Sequence, residues 1–176
     1  MIGPYSQHPA RFLPYDPVAA EVASLISTEI HGVEPSLTVE HVGSSAVPGC
    51  AGKGVVDLAV CYSPGGLDAA KAALDRIGFQ PQPGPDPFPE SRPMRVGSAI
   101  VRGGVYQLHA HVIEQRSAEI VELLAFREAL RADATMRRDY EARKQAIISD
   151  GVNDTAAYAE AKGGFVHSVL REVYGD

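Results

Sequence analysis

VEHVGSSAVPGCAGKGVVDLAV, residues 39–60, contains two extended runs and the break between them. The first run, Leu37 to Val42, stops at Gly43-Ser44-Ser45, and Pro48-Gly49 follows. The second, Val55 to Tyr62, reads VVDLAVCY and is nearly continuous in apolar residues, as a central strand covered on both faces must be. Asp57 interrupts it. A carboxylate in such a strand is costly unless a metal, a cation or hydrogen bonds compensate it. Strand alternation puts Val55, Asp57, Ala59 and Cys61 on one face. Gly43 allows close backbone approach, and Ser44 and Ser45 offer hydroxyls and neighbouring N–H groups that suit phosphate oxygens. A plain Gly-Ser turn would leave the same pattern, and a structural ion pair would equally explain Asp57.

Upstream, residues 1–16 read as an irregular arm rich in Pro and aromatics. From Pro17, Val18, Val22, Leu25, Ile26 and Ile30 recur at helical spacing, with Asp16-Pro17 as helix start and Gly32 as stop. Downstream, Leu67, Ala70, Leu74 and Ile77 mark a helix closed by Gly78. Residues 80–93 hold six of the 13 prolines and read as a mobile surface loop. Strands over 94–102 and 105–113 follow, joined by a tight turn at Gly103-Gly104. The remainder reads as helices near 117–131, 134–149 and 154–173, with Asp133 and Asn153 or Asp154 as caps. The expected architecture is α+β: a short sheet flanked by helices, with a helical C-terminal layer, in one domain over 1–176 (core 15–115, helical tail 117–174).

His109 and His111 form an HxH on the last strand. Period two places both imidazoles on one face, about 7 Å apart along the strand, with Gln107 beside them. Two ligands of one metal fit this spacing, as do one ligand and one acid/base group, or two surface residues. Arg127, Lys144 and Lys162 fall on the apolar stripes of their helices. Each either snorkels to water or meets an acidic partner or an anionic ligand. Lys53, Arg92 and Arg95 suit a phosphate clamp or an ordinary solvated surface, and Arg92 fits the surface better.

Composition narrows the classes. The chain has 176 residues, 45% apolar and 22% charged, enough for a core without staples. The formal net charge of −6 argues against non-specific nucleic-acid binding. No apolar run approaches the ~20 residues of a membrane span, and the N-terminal stretch does not read as a secretory signal. Cys50 and Cys61 are too few for a disulfide framework and form no finger spacing, so a reducing, cytoplasmic setting is expected.

Beyond these readings, VEHVGSSAVPGCAGKGVVDLAV, LHAHV, LLAFREALR, DYEARK and YAEAKGGF, in this order, resemble the GrpB-like family of the nucleotidyltransferase superfamily, from about Tyr15 to Leu170. The resemblance implies a short mixed sheet flanked by helices, with a Gly-Ser turn that holds nucleotide phosphates. It also implies carboxylates that hold two divalent ions aligning a hydroxyl and a leaving pyrophosphate. Asp57 matches the first carboxylate. Ala59 stands in place of the second, and His109 and His111 take the place of the third. One carboxylate and two imidazoles suit Zn²⁺, Mn²⁺, Ni²⁺ or Fe²⁺ better than Mg²⁺. The expected function is a metal-dependent nucleotidyltransferase-like protein that acts on, or binds, a nucleotide or other phosphorylated small molecule. In that reading Gly43, Ser44, Ser45, Lys53, Arg127, Lys144 and Lys162 face phosphate. A catalytically degenerate binding module and a metal-dependent hydrolase are the alternatives.

Overall fold

A computed structural model describes residues 2–9, 11–149 and 163–171. Helix α1 (Val18–Val33) leads into β1 (Thr38–Val42), a single 3-10 turn (Ser44–Ala46) and β2 (Val55–Tyr62). Helix α2 (Leu67–Ile77), the short β3 (Gln80–Pro81), β4 (Met94–Val101) and β5 (Gly104–Glu114) follow. Helices α3 (Ala118–Ala132) and α4 (Ala134–Ser149) continue the chain, and residues 163–171 are again helical.

The sheet order is β1-β2-β5-β4-β3. Only β2 and β5 run parallel; the other neighbours are antiparallel, so the sheet is mixed, as expected. Placing β5 beside β2 gives the central strand a neighbour on each side, and its backbone groups are satisfied in both directions.

Alternation then divides the sheet's side chains between two faces. Val56, Leu58 and Val60 of β2 and Leu108, Ala110 and Val112 of β5 join the main core beneath α1 and α2. Val22 and Ile30 of α1 are fully enclosed there, each worth roughly 1.5–3 kcal/mol by burial. Leu25, which the spacing puts in the stripe, is instead 49% exposed; Ala19 and Ala23 take its place against the sheet. Small residues at those positions let the helix lie close.

The opposite face is only partly covered. Val42, Ala59, Cys61 and Ile113 pack under Ile120, Leu123 and Leu124 of α3. A third cluster, with Val47, Cys50, Phe126, Leu130, Tyr140, Val169 and Leu170, forms the helical layer. Both cysteines are buried and unbridged.

Several local readings shift. The β4–β5 turn is Arg102-Gly103, not Gly103-Gly104: Val101 pairs with Gly104, and both intervening residues have positive φ (51° and 80°). A two-residue hairpin turn of this kind needs both centres left-handed, and Arg102 accepts the strain. Helix α1 runs one residue past Gly32. Asp133 does cap α4, accepting from the N–H groups of Thr135 and Met136 at 2.7 and 3.1 Å. The expected helix over 154–173 is seen at 163–171; its remainder, with Asn153 and Asp154, lies outside the described residues. The proline-rich segment is held at several points: Gln80–Pro81 pairs with β4, and Arg95 binds Asp75 and Glu90. The arm, irregular as expected, is pinned by bridges between Gly3 and Ser98 and between Leu13 and Gly52.

Candidate metal and phosphate site

The parallel register of β2 and β5 builds the site. Asp57 is the Cα partner of His109, and Ala59 of His111. The three polar side chains therefore share the partly covered face. His109 Nδ1 lies 3.4 Å from Asp57 Oδ1, and His111 Nε2 3.9 Å from the same oxygen. One donor atom from each of the three lies within 4.8 Å of the others. Asp57 and His111 keep 19% and 20% of their side chains exposed, so solvent reaches the group; His109 keeps 6%.

Burial alone would raise the Asp57 carboxyl. The hydrogen bonds from His109 and His111 and the Lys53 charge together hold it well below the usual carboxylate range, so it is anionic at neutral pH. Burial lowers the His111 pKa, and Arg92 and His109 add to that against the pull of Asp57.

Each imidazole also has a second partner. Tyr5 Oη lies 3.1 Å from His109 Nε2, with the rings 5.6 Å apart. Arg92 Nη1 lies 3.1 Å from His111 Nδ1. Arg92 is itself gripped by Glu119, at the start of α3, through Nε at 2.9 Å and through a second bond from Nη2. Its guanidinium sits 4.8 Å over the Phe88 ring, which stands at 88° to the His111 ring with centroids 5.9 Å apart.

Gly43 explains part of the Gly-Ser motif. Its φ is +71°, and a Cβ there would fall 2.6 Å from Asp57 Oδ2. The glycine is the space that the carboxylate occupies. Ser45 Oγ meets His41 Nε2 at 3.0 Å. Burial, reinforced by Arg131 and Arg127 and only partly opposed by Asp57, depresses His41 to about 4. Ser44 Oγ packs where a Gly52 side chain would stand, 2.5 Å from its Cβ position.

Two hollows flank the arm. One, about 250 Å³, is lined by His8, Arg11, Lys53, Gln107 and His109 among others, with no carboxylate among the described residues of its wall. The other, about 300 Å³, holds Ser44, Ser45, Cys50 and Asp16. The structure thus brings Gly43, Lys53, Asp57, His109 and His111 together and sets Ser44 and Ser45 in the adjoining hollow.

The helical cations make contacts of their own. Arg127 pairs with Glu40 at 2.9 Å and donates to the His41 carbonyl at 2.8 Å, tying α3 to β1. Arg131 donates twice to the Ala46 carbonyl. Lys144, 1% exposed, donates to the Ala51 carbonyl and lies 4.2 Å over the Tyr140 ring. Lys162 lies outside the described residues. Sequence reasoning missed Tyr5 and placed Arg92 on the surface. Nothing in the sequence marks Tyr5, but the hairpin register could have found Arg92. Met94 pairs with His111, and the Pro93 carbonyl accepts from Val112, so the residue before Pro93 must lie near the imidazole.

This sheet order and site face define a nucleotidyltransferase-like fold. A Cid1 poly(U) polymerase solved with Mg 3′-dATP bound aligns with a TM-score of 0.50 at 14% identity, over 85% of this chain and 49% of that one. A structure described as conserved protein GrpB from Enterococcus faecalis aligns with a TM-score of 0.71 at 21% identity, over 93% and 96% of the two chains. The family described as GrpB protein matches residues 9–172, and the chain belongs to that family. A UPF0157 protein of Streptomyces coelicolor is 35% identical over 74% of this chain, and one of Pseudomonas aeruginosa is 32% identical over 90%. The matches span 66% and 65% of those two relatives, so the chain covers just under two thirds of each. No helix among the described residues is long and apolar enough to cross a membrane.

Proposed function

We propose that the protein binds a nucleotide or another phosphorylated small molecule and, with one divalent ion, transfers its nucleotidyl or phosphoryl group. The observation that carries this reading is the convergence of Asp57, His109 and His111 on one donor space, beside a hollow walled by His8, Arg11 and Lys53. The donor set fits a transition metal: an anionic carboxylate and two imidazoles, with the His109 ring steadied at its far nitrogen by the Tyr5 hydroxyl. Zn²⁺, Mn²⁺, Ni²⁺ or Fe²⁺ suits it better than Mg²⁺. When bound, such an ion would polarise a phosphoryl oxygen.

The chain's own residues do the rest. Lys53 and Arg11 draw phosphate charge into the hollow. Gly43 keeps Asp57 at its station. Ser44 and Ser45 offer hydroxyls at the second hollow to a ligand that extends there. A histidine outside the ion's coordination can accept a proton from an attacking hydroxyl.

Ala59 supports a second reading. It is fully buried beneath α3, where the superfamily pattern calls for another carboxylate, and a cleft with one such ligand can bind without turnover. If the acceptor is water, the protein is a hydrolase on the same three residues.

Titration calorimetry with Zn²⁺ or Mn²⁺ and a nucleoside triphosphate, followed by mass analysis of products, tests these readings. Metal should raise the melting temperature of the wild type; Asp57→Ala should abolish that gain and His109→Ala should weaken it. Tight nucleotide binding with no product over hours identifies the module. No thermal response to either metal overturns the metal reading.

A further inference from the structure

Resting on that metal reading, we infer that Arg92 competes with the metal for His111, so that the site loads fully only when the Arg92–Glu119 tether lets go. Proton positions set this competition. A guanidinium has donors and no acceptor, so Arg92 Nη1, 3.1 Å from His111 Nδ1, requires a lone pair on that nitrogen. In the neutral ring the proton then sits on Nε2, which faces Asp57 Oδ1. Asp57 is an acceptor, so the arrangement is consistent as it stands. It is also the wrong tautomer for coordination. A metal at His111 Nε2 needs the proton on Nδ1, where it would point at the Arg92 donor.

His109 carries no such conflict. Its Nδ1 faces Asp57, and its Nε2 meets a hydroxyl, which can donate or accept. The two histidines of the HxH are therefore unequal: His109 is ready to ligate beside Asp57, and His111 is withheld. Three contacts hold the withholding group: two bonds to Glu119 and the Phe88 ring beneath it. Arg92 is thus a positioning residue that sets the His111 tautomer.

Zn²⁺ titrations of the wild type, Arg92→Met and Glu119→Gln test this, alongside ¹⁵N NMR of the metal-free imidazoles. The expected result is a metal affinity about tenfold or more higher in Arg92→Met and a smaller gain in Glu119→Gln. In the wild type, the ring nitrogen shifts should report the Nε2–H tautomer for His111, changing in Arg92→Met. Equal Zn²⁺ affinities across the three proteins overturn the inference while leaving the metal reading intact. So does a wild-type His111 with its proton on Nδ1. Absence of Asp57-dependent Zn²⁺ binding in all three overturns the metal reading and this inference together.

Discussion

The front face of the sheet, the one only partly covered by α3, and the helical layer both carry charged groups on otherwise apolar surfaces, yet they treat them in opposite ways. In the helical layer three of the described cations serve as ties within the fold. Arg127 ties α3 to β1, Arg131 holds the 3-10 turn by the Ala46 carbonyl, and Lys144 holds the segment after Cys50. On the front face, Asp57, His109 and His111 point at one another and remain reachable from solvent. A charge on an apolar stripe is therefore not in itself a sign of a ligand. What separates a tie from a site is whether the partners come from distant backbone or from other chemistry-bearing side chains.

The sharpest way to break this comparison is to remove a tie. Lys144→Ala should lose about 3 kcal/mol in urea unfolding, from the vacated stem and the orphaned Ala51 carbonyl, with Zn²⁺ affinity unchanged. A stable variant that had lost metal binding would move Lys144 from the frame to the site. Gly43→Ala joins the two regions: left-handed strain and the clash with Asp57 should cost about 2 kcal/mol and also abolish the thermal response to metal.

The His41 ring supplies a pH test. Its folded pKa is depressed to about 4 against roughly 6.5 when unfolded. The unfolded chain therefore takes up the proton first as pH falls. Stability should be full above about pH 6.5 and decline toward pH 4, by on the order of 2 kcal/mol, with His41→Gln showing a flatter profile in urea melts across that range. Arg127→Met is expected to have the smallest effect, about 1 kcal/mol from the lost bonds to Glu40 and the His41 carbonyl. A change in metal affinity in that variant would mean that Arg127 serves the site as well as the fold.

Much of the fold was legible because periodicity reports burial directly. VVDLAVCY read as a central strand, and Asp57 and the HxH stood out by being polar where apolar residues belong. Their convergence could not be read from either strand alone, since it depends on β2 and β5 pairing in parallel and on a register that sets Asp57 beside His109. Leu25 misled because spacing counts residues without weighing how closely a helix must approach. The acidic partner of Arg127 could not be named in advance, because Glu40 is 87 positions away. Tyr5 was hidden because an irregular arm has no period, so nothing in its pattern says which side chain returns to the sheet; Arg92 was within reach only by carrying the β4–β5 register back past Met94.

Leu13 exchanges backbone hydrogen bonds in both directions with Gly52, at 2.7 and 2.9 Å, and its side chain sits where a larger residue at position 54 would collide. The strap so formed is a partition between two chambers. Leu13, Gly54, Val55 and Val105 line both hollows, so the two spaces touch along this strap. Displacing it, at the cost of both bonds to Gly52, would join them into one.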